Sequence, residues 1–225
     1  MKDMNHPLRA DLPPLPGRIA CLPVDKRGYP VPWFVAWVDG EPEFRAADGA
    51  KLTRAIRDKL CWVCGQPLGQ YLAFIIGPMC AVNRISAEPP SHRECAEFSL
   101  RACPFLSKPQ MDRRENDLPE NTRCAGFMIR RNPGAMLLWI TRDYRIVGDG
   151  NGGVLFRLPS PMELVPYSSG RRATLEELQE AFDSGLPILE NTAREDGPRA
   201  MAALDQMVHA ARKLLGLKEY ACSTS

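Results

Sequence analysis

Three features that often reveal a protein's role are scarce in this sequence: histidine, an excess of one charge, and long apolar runs. It has only 3 histidines, and 29 lysines and arginines nearly balance 27 aspartates and glutamates, leaving a net charge of +2. The longest nearly apolar run, Tyr71 to Val82, has 12 residues, whereas a membrane-spanning helix needs about 20. The N-terminus lacks the apolar core of a signal peptide. We therefore expect a cytoplasmic protein with no membrane partner, and the charge balance argues against a general nucleic-acid binder.

Cysteine and proline are the residues that the sequence has in excess, with 8 and 21 among 225 residues. Hydrophobic residues at 44% and charged residues at 25% are ordinary for a globular protein. In a reducing compartment, cysteines serve as metal ligands, catalytic groups or small core residues more often than as disulfides. Five of the eight cysteines fall between Cys61 and Cys103. This clustering indicates a local metal site, and the scattered Cys21, Cys124 and Cys222 need no special role.

Composition and periodicity predict an α+β fold in four segments. They are a Pro-rich N-terminal arm (1–32), a β-hairpin and helix with the metal-binding module (33–106), a polar linker or mobile loop (107–123), and an antiparallel strand meander with C-terminal helices (124–225). In the second segment we predict a strand at 33–38, an Asp39-Gly40 turn, a return strand at 43–47, and a helix at about 49–60 capped by Asp48. A buried strand at 71–76 follows, with 79–86 as its hairpin partner.

Two Ser/Thr-x-x-Glu sequences predict helix starts through capping boxes, at Ser91–Glu94 and Thr174–Glu177. The first helix begins at His92 and runs to about Cys103. The second ends near Gly185, and a short helix from Pro187 follows it. Strands at 135–141, 144–148, 154–158 and 162–167 form the meander, and the longest helix covers about 199–215.

Two residue pairs predict a metal centre: Cys61 and Cys64 in a Cys-x-x-Cys turn before Gly65, and His92 with Cys95. Residues i and i+3 share one helix face, so His92 and Cys95 converge. The helix dipole at that first turn favours anionic thiolate. A Cys3His ligand set suits tetrahedral Zn2+. Cys80 or Cys103 remain alternative ligands, and a redox-active Cys-x-x-Cys would instead need a strand before it and a helix beginning at the motif.

The knuckle, hairpin and helix of residues 61–103 resemble the treble-clef zinc finger. The resemblance implies one zinc held by Cys61, Cys64, His92 and Cys95. Four good ligands predict a closed, structural site rather than a catalytic one, and we assign no catalytic residue. The wider sequence, through CWVCGQPLG and EPPSHRECA, loosely resembles uncharacterised bacterial and prophage proteins, which suggests a phage or mobile-element accessory protein.

Enzymatic alternatives fit the sequence less well. His92-Arg93-Glu94 matches His-x-Glu of zinc nucleobase deaminases, but in that family it precedes Pro-Cys-x-x-Cys, and here the order is reversed. HNH-type nucleases also use a treble clef, yet His6 and His209 lie far from the motif and supply no obvious general base. A nuclease using Glu88 or Asp149 remains the alternative function. The Gly-rich stretch 148–153 lacks the strand-to-helix context of a phosphate loop and reads as a hairpin turn.

A binding role is the favoured prediction. Polar residues beside the metal ligands, Asn83 and Arg84, are placed for recognition, although turn and cap chemistry explains them equally well. Residues 121–147 hold five arginines and one aspartate, a local charge of +4 that includes Arg130 and Arg131. A solvated sheet face is the simpler interpretation, and contact with phosphates or an acidic protein face is the functional one. The partner would be a protein or nucleic acid, and the apolar stripe of the C-terminal helices would allow a homo-oligomer.

Overall fold

A computed structural model describes residues 6–109, Met111 and residues 131–218. Helices and antiparallel strands are both present, so the predicted α+β class is confirmed. Most of the predicted linker lies outside the described residues, as do Arg130, Cys124 and Cys222. The division of the chain into four segments stays a prediction. None of the described helices is both long and apolar enough to cross a bilayer.

The N-terminal part forms a short helix, a hairpin and a second helix. They are α1 (Gly17–Ala20), β1 (Val35–Val38), β2 (Glu41–Ala47) and α2 (Gly49–Asp58). Asp39 and Gly40 turn the hairpin with φ of 51° and 79°, the left-handed pair that matches the twist of two strands. The Asp48 side chain accepts from the backbone N–H groups of Ala50 and Lys51, which satisfies donors that the first helical turn leaves unpaired. These predictions from sequence are confirmed.

A four-stranded antiparallel sheet forms the centre of the molecule. Its strands, in spatial order, are β3 (Leu72–Ile76), β5 (Met136–Thr141), β8 (Glu163–Ser168) and β9 (Arg171–Arg172). Strand β5 is buried along its whole length because both faces of the sheet are covered. Leu138 packs with Leu100 of helix α4 (Arg93–Ala102) on one face. Trp139 packs with Phe182 and Leu204, from the C-terminal helices, on the other face.

The predicted hairpin partner of β3 is wrong. Residues 78–83 form helix α3 (Pro78–Asn83), and the following β4 (Ile85–Ser86) pairs with a different sheet. Pro78 at the first helical position has the φ that starts a helix and no N–H to give to a strand ladder. The edge of β3 pairs instead with β5, in register from Leu72–Thr141 to Ile76–Leu137.

The predicted strands after residue 135 exist, but they do not form a single meander. Strands β6 (Arg145–Gly148) and β7 (Val154–Arg157) form a hairpin that joins β4 in a separate sheet of order β4-β7-β6. Strand β5 already has β3 and β8 on its two sides, so β6 cannot pair with it. Tyr144 lies where the chain passes from the first sheet to the second. Its ring contacts Phe74 of β3 and Phe156 of β7, and so packs the two sheets together.

The C-terminal part is a pair of long helices, α6 (Leu175–Asp196) and α7 (Pro198–Leu215), separated by Gly197. The capping box of Thr174 and Glu177 is confirmed. The predicted end near Gly185 is wrong, because α6 continues through Gly185 and Pro187. A Cβ at Gly185 would lie 2.8 Å from Cγ of Met79, so this glycine permits close packing of α6 on α3 rather than ending a helix. Helix α5 (Pro104–Ser107) follows α4.

Candidate metal centre

The first pair of candidate ligands lies in a tight knuckle after helix α2. Lys59 ends that helix with φ of 51°, and the chain then doubles back through Leu60–Pro67 pairing. The Cys61 N–H donates to the Gln66 carbonyl at 2.8 Å, and the Gly65 N–H donates to the Cys61 carbonyl at 2.8 Å. The Cys61 sulfur accepts from the backbone N–H of Cys64 at 3.5 Å. This fold of the backbone aims both thiols to one side.

The second pair lies at the start of α4, but not through the predicted capping box. His92 is the N-cap residue, and the cap carries no side-chain hydrogen bond. Ser91 exchanges backbone hydrogen bonds with Ala73 at 2.8 and 2.9 Å, so it belongs to a strand bridge and cannot adopt the cap position. Glu94 accepts instead from Arg18 of α1 at 2.9 Å. The capping-box prediction at Ser91 is therefore wrong, although the helix begins within one residue of the predicted start.

The structure brings the four predicted ligands together. One ligand atom from each of Cys61, Cys64, His92 and Cys95 lies within 4.8 Å of every other. In a tetrahedral site with Zn–S bonds of about 2.3 Å, ligand sulfurs lie about 3.8 Å apart. The three cysteines are buried, with Cys61 and Cys95 at 0% exposure. Among the described residues, Cys80 and Cys103 are not part of this group.

The His92 ring is held in the form that a metal ligand needs. Its Nε2 lies 3.0 Å from the Pro67 carbonyl oxygen, and a carbonyl only accepts, so Nε2 carries the hydrogen and donates it. In the neutral ring, Nδ1 then keeps a free lone pair. Nδ1 lies 3.4 Å from the Cys64 sulfur and 3.9 Å from the Cys95 sulfur. A backbone carbonyl that fixes the tautomer and ring orientation is typical of histidines that bind metals.

The three cysteine thiols differ in the direction in which their surroundings shift the pKa. Hydrogen bonds from Cys64 and Cys95, followed by backbone N–H groups, hold the pKa of Cys61 far below its ordinary value. The pKa of Cys64 and of Cys95 is raised, chiefly because each donates to the Cys61 sulfur. A second and third thiolate in this buried space would repel the first. A dication relieves that repulsion, so the donor set fits Zn2+ better than it fits three free thiols.

The N-terminal arm encloses the ligands on one side. Ile19 of α1, at 1% exposure, packs with the cysteines and Phe98. Arg18 donates to Gln66 at 2.6 Å and to Glu94, and so connects the knuckle with α4. No periodic pattern in the sequence predicts this contact, because α1 is a single turn in the Pro-rich arm. Closely spaced Ile and Leu residues in that arm are the only hint that it packs.

The β1–β2 hairpin also rests on the knuckle. Phe34 stacks on Trp62 with ring centroids 5.0 Å apart, and Trp33 meets the same indole edge-on at 6.5 Å. The backbone N–H of Trp33 donates to the Val63 carbonyl at 2.7 Å. Gly65 has φ of +71°, and a Cβ there would lie 2.5 Å from the Trp33 ring. The knuckle that contains Cys61 and Cys64 is therefore the surface on which the N-terminal hairpin packs.

The predicted binding residues occupy two separate places. Asn83 ends α3, and its side chain accepts from the Ile85 N–H at 3.1 Å. Arg84 follows at φ of 54° and donates to the Ser160 hydroxyl at 3.3 Å. Arg131 lines a cavity of about 240 Å³ with Ser168 and other residues. Asp149, of the nuclease alternative, accepts from the N–H groups of Asn151 and Gly153, so the predicted hairpin turn at 148–153 is confirmed.

No protein-family model, no curated protein and no solved structure matches this chain. Its function is therefore inferred from the geometry of the four candidate ligands.

Proposed function

We propose that this protein is a zinc-stabilised binding protein whose metal is structural. The observation that carries the proposal is the convergence of three buried cysteine sulfurs on the His92 Nδ1, with the opposite ring nitrogen tied to Pro67. Four protein ligands of this kind fill a tetrahedral zinc and leave no position for substrate or water. The arrangement of knuckle and helix N-terminus supports a treble-clef-like centre in which α3 occupies the place of a hairpin strand.

The structural role of the metal follows from what the ligands connect. One pair precedes β3 and the other begins α4, and the arm and the hairpin both pack on the knuckle. Metal binding in such sites contributes directly to folding free energy. Zinc would thus hold three N-terminal elements in place beside the central sheet. A cytoplasmic location suits reduced thiol ligands.

The binding role rests on the surface that this framework presents. Asn83 and Arg84 lie at the start of the second sheet, and Arg131 lines its own cavity. The partner would be a protein or a nucleic acid. Self-association through α6 and α7, and a phage or mobile-element context, stay predictions. The nuclease alternative with Glu88 or Asp149 also stays a prediction, and the turn hydrogen bonds of Asp149 favour the binding role.

The zinc proposal is tested by metal content and stability of matched cysteine variants. Purified protein should contain one zinc per chain by elemental analysis. Cys95→Ser should lose most of that zinc, and its unfolding free energy should fall by about 3 kcal/mol or more. Cys103→Ser, at the opposite end of the same helix, is the matched control and should retain one zinc. A wild-type protein that keeps its full circular dichroism signal and melting temperature after zinc removal would overturn the structural role.

A further inference from the structure

Strand β6 is the open edge of the second sheet. In the order β4-β7-β6 it has β7 on one side, and no strand of the described residues pairs with its other side. Arg145 and Gly148 are exposed, and Ile146 is 50% exposed. The pairing of β6 with β7 runs without a bulge. An edge strand that is uncovered, free of bulges and uncharged at its centre is a template on which another strand can pair.

Two residues of β6 direct their backbone groups away from β7. The Asp149 N–H donates to the Gly153 carbonyl at 3.1 Å across the hairpin, and successive residues of a strand alternate in the edge to which their N–H and C=O groups point. Val147 therefore faces β7, as Asp149 does, whereas Ile146 and Gly148 face outward. Across the described part of the chain, no hydrogen bond from another segment reaches these outward groups.

A second copy of β6 fits this edge in an antiparallel arrangement. Outward groups must face outward groups, so the central pairs are Ile146 with Ile146, Ile146 with Gly148, or Gly148 with Gly148. The first register sets Asp143 of each copy opposite Asp149 of the other, and two acids in that position repel. The second register sets Arg145 of each copy opposite Asp149 of the other. The third gives Arg145 no acidic neighbour.

Charge complementarity thus selects the register that pairs Ile146 with Gly148. Within one chain, Arg145 lies opposite Arg157 of β7, and like charges in that position destabilise an antiparallel pair. Arg145 has no acidic partner among the described residues of its own chain. In the selected register, the Asp149 carboxylate of the second copy lies on the other side of Arg145 and on the same sheet face. It offsets the repulsion that folding of one chain leaves in place.

Apolar side chains favour the same register. Val147 lies opposite Leu155 of β7, and both are half-buried. In this register the Val147 residues of the two copies are directly opposite each other, with Cα atoms about 4.5 Å apart. An apolar stripe then runs from Leu155 of one copy to Leu155 of the other. On the opposite face Ile146 meets Gly148, where an added Cβ has no neighbour closer than 4.0 Å, so the glycine leaves room for the isoleucine.

We propose that two copies of this chain pair through β6 and form one continuous sheet of order β4-β7-β6-β6-β7-β4. The inference goes beyond the proposed function and does not depend on the metal. The two-fold axis passes between the Val147 residues, and the interface is isologous. Two strands this short bury less than the about 1,200 Å² typical of stable complexes, so we expect a weak dimer with a dissociation constant of about 10⁻⁵ to 10⁻³ M.

Sedimentation equilibrium of the full-length, zinc-loaded protein at low salt measures the association. Asp149→Asn keeps an acceptor for the turn N–H groups and should raise the dimer dissociation constant about fivefold, because it removes one partner of two ion pairs. Arg145→Glu sets acid against acid and should raise it about tenfold or more. Arg199→Glu makes the same charge change on the exposed surface of α7 and should associate like wild type.

Disulfide trapping tests the register itself. With oxidised glutathione, Val147→Cys should form a covalent dimer, because its two sulfurs meet across the two-fold axis. Arg145→Cys is the matched control on the same strand face, and its two copies lie about 13 Å apart along the strand, so it should cross-link no more than wild type.

Three results would overturn the proposal. A wild-type protein that stays monomeric at about 1 mM has no such interface. A dimer that Val147→Cys fails to trap uses another surface or register. Equal weakening by Arg145→Glu and Arg199→Glu shows a general charge effect or association through α7. Zinc content measured on the same samples keeps these outcomes separate from the metal role, which stands or falls independently.

Discussion

At the scale of single residues, His92 shows how a neighbour outside the ligand set determines what a ligand can do. The Pro67 carbonyl fixes the proton on Nε2, and this leaves Nδ1 directed at the sulfurs of Cys64 and Cys95. Sequence spacing predicts which residues converge, because Cys-x-x-Cys and His-x-x-Cys each bring two side chains to one side. It does not predict Pro67, since a backbone carbonyl has no residue-type signature.

At Gly65 the knuckle and the Trp33 ring before the N-terminal hairpin are in close contact. Gly65→Ala would add a Cβ against Trp33 in a backbone region that suits glycine. We expect a loss of about 2–3 kcal/mol in unfolding free energy, from left-handed strain and from displacement of the ring. Denaturant unfolding followed by tryptophan fluorescence measures it.

The matched control is Gly69→Ala, four residues along, where an added Cβ meets no heavy atom within 4 Å. That variant should unfold within about 0.5 kcal/mol of wild type. Equal stabilities for the two variants would contradict the proposed contact between Trp33 and the knuckle.

At the scale of elements, the start of α6 is fixed by charge. The Glu177 carboxylate accepts from the Arg171 guanidinium at 2.7 and 2.9 Å and from the Thr174 N–H at 2.8 Å. These bonds lower the pKa of Glu177 to about 2, below the value of about 4.3 for an unfolded chain. A lowered folded-state pKa contributes stability that is present above the unfolded value and is lost as pH falls through the folded one.

Glu177→Gln should therefore melt about 2 °C below wild type at pH 7, and the difference should shrink as the pH falls from 5 towards 2. Melting followed by circular dichroism across this range measures it. Glu180→Gln, one turn further along the same helix, changes the same charge without these hydrogen bonds and should melt like wild type at pH 7. A difference for Glu177→Gln that persists unchanged at pH 2 would argue against the ionic cap.

Elements with strong local signals are those that the sequence predicts correctly. Asp48, the Asp39-Gly40 turn and Thr174 each act through neighbours within three residues, so their effect is readable from the chain alone. The failures depend on distant contacts. Gly185 reads as a helix end until Met79 is found packed against it. Residues 79–86 read as a strand, but Pro78 starts a helix there, and Ile85 and Ser86 pair with the distant strand β7. Ser91 likewise forms backbone hydrogen bonds with the distant Ala73 instead of capping the helix that follows it.

At the scale of the whole molecule, the metal centre and the main core are distinct. The ligands pack with α1 and with one side of α4, whereas α6 and α7 pack with the central and second sheets. The sequence predicts which four residues form the candidate metal site, because the information for it lies in two short motifs. It does not predict that Arg157 lies opposite Arg145, because strand register is not visible in the sequence.

Zinc removal should loosen one part of the molecule and spare the other. On chelation we expect backbone amides of α1 and of the knuckle (residues 60–68) to exchange with deuterium at least tenfold faster. Amides of β5 and α7 should change by less than about twofold, because their contacts do not depend on the ligands. Hydrogen exchange with mass spectrometry measures this, and returning zinc should restore the slow rates. Uniform acceleration across the chain would show instead that the metal holds the entire fold.

The order of the ligands along the chain also has a consequence for how the protein is made. All four ligands precede β5, the strand that pairs with β3, along the chain and are therefore synthesised before it. A metal captured at that moment closes a loop around β3 and shortens the search of its ends for one another. Strand β3 then lies within a closed loop until β5 is made. The closed loop lowers the chance that this apolar strand pairs with another molecule. We therefore expect a zinc bound at this cluster to act on the nascent chain as well as on the finished fold.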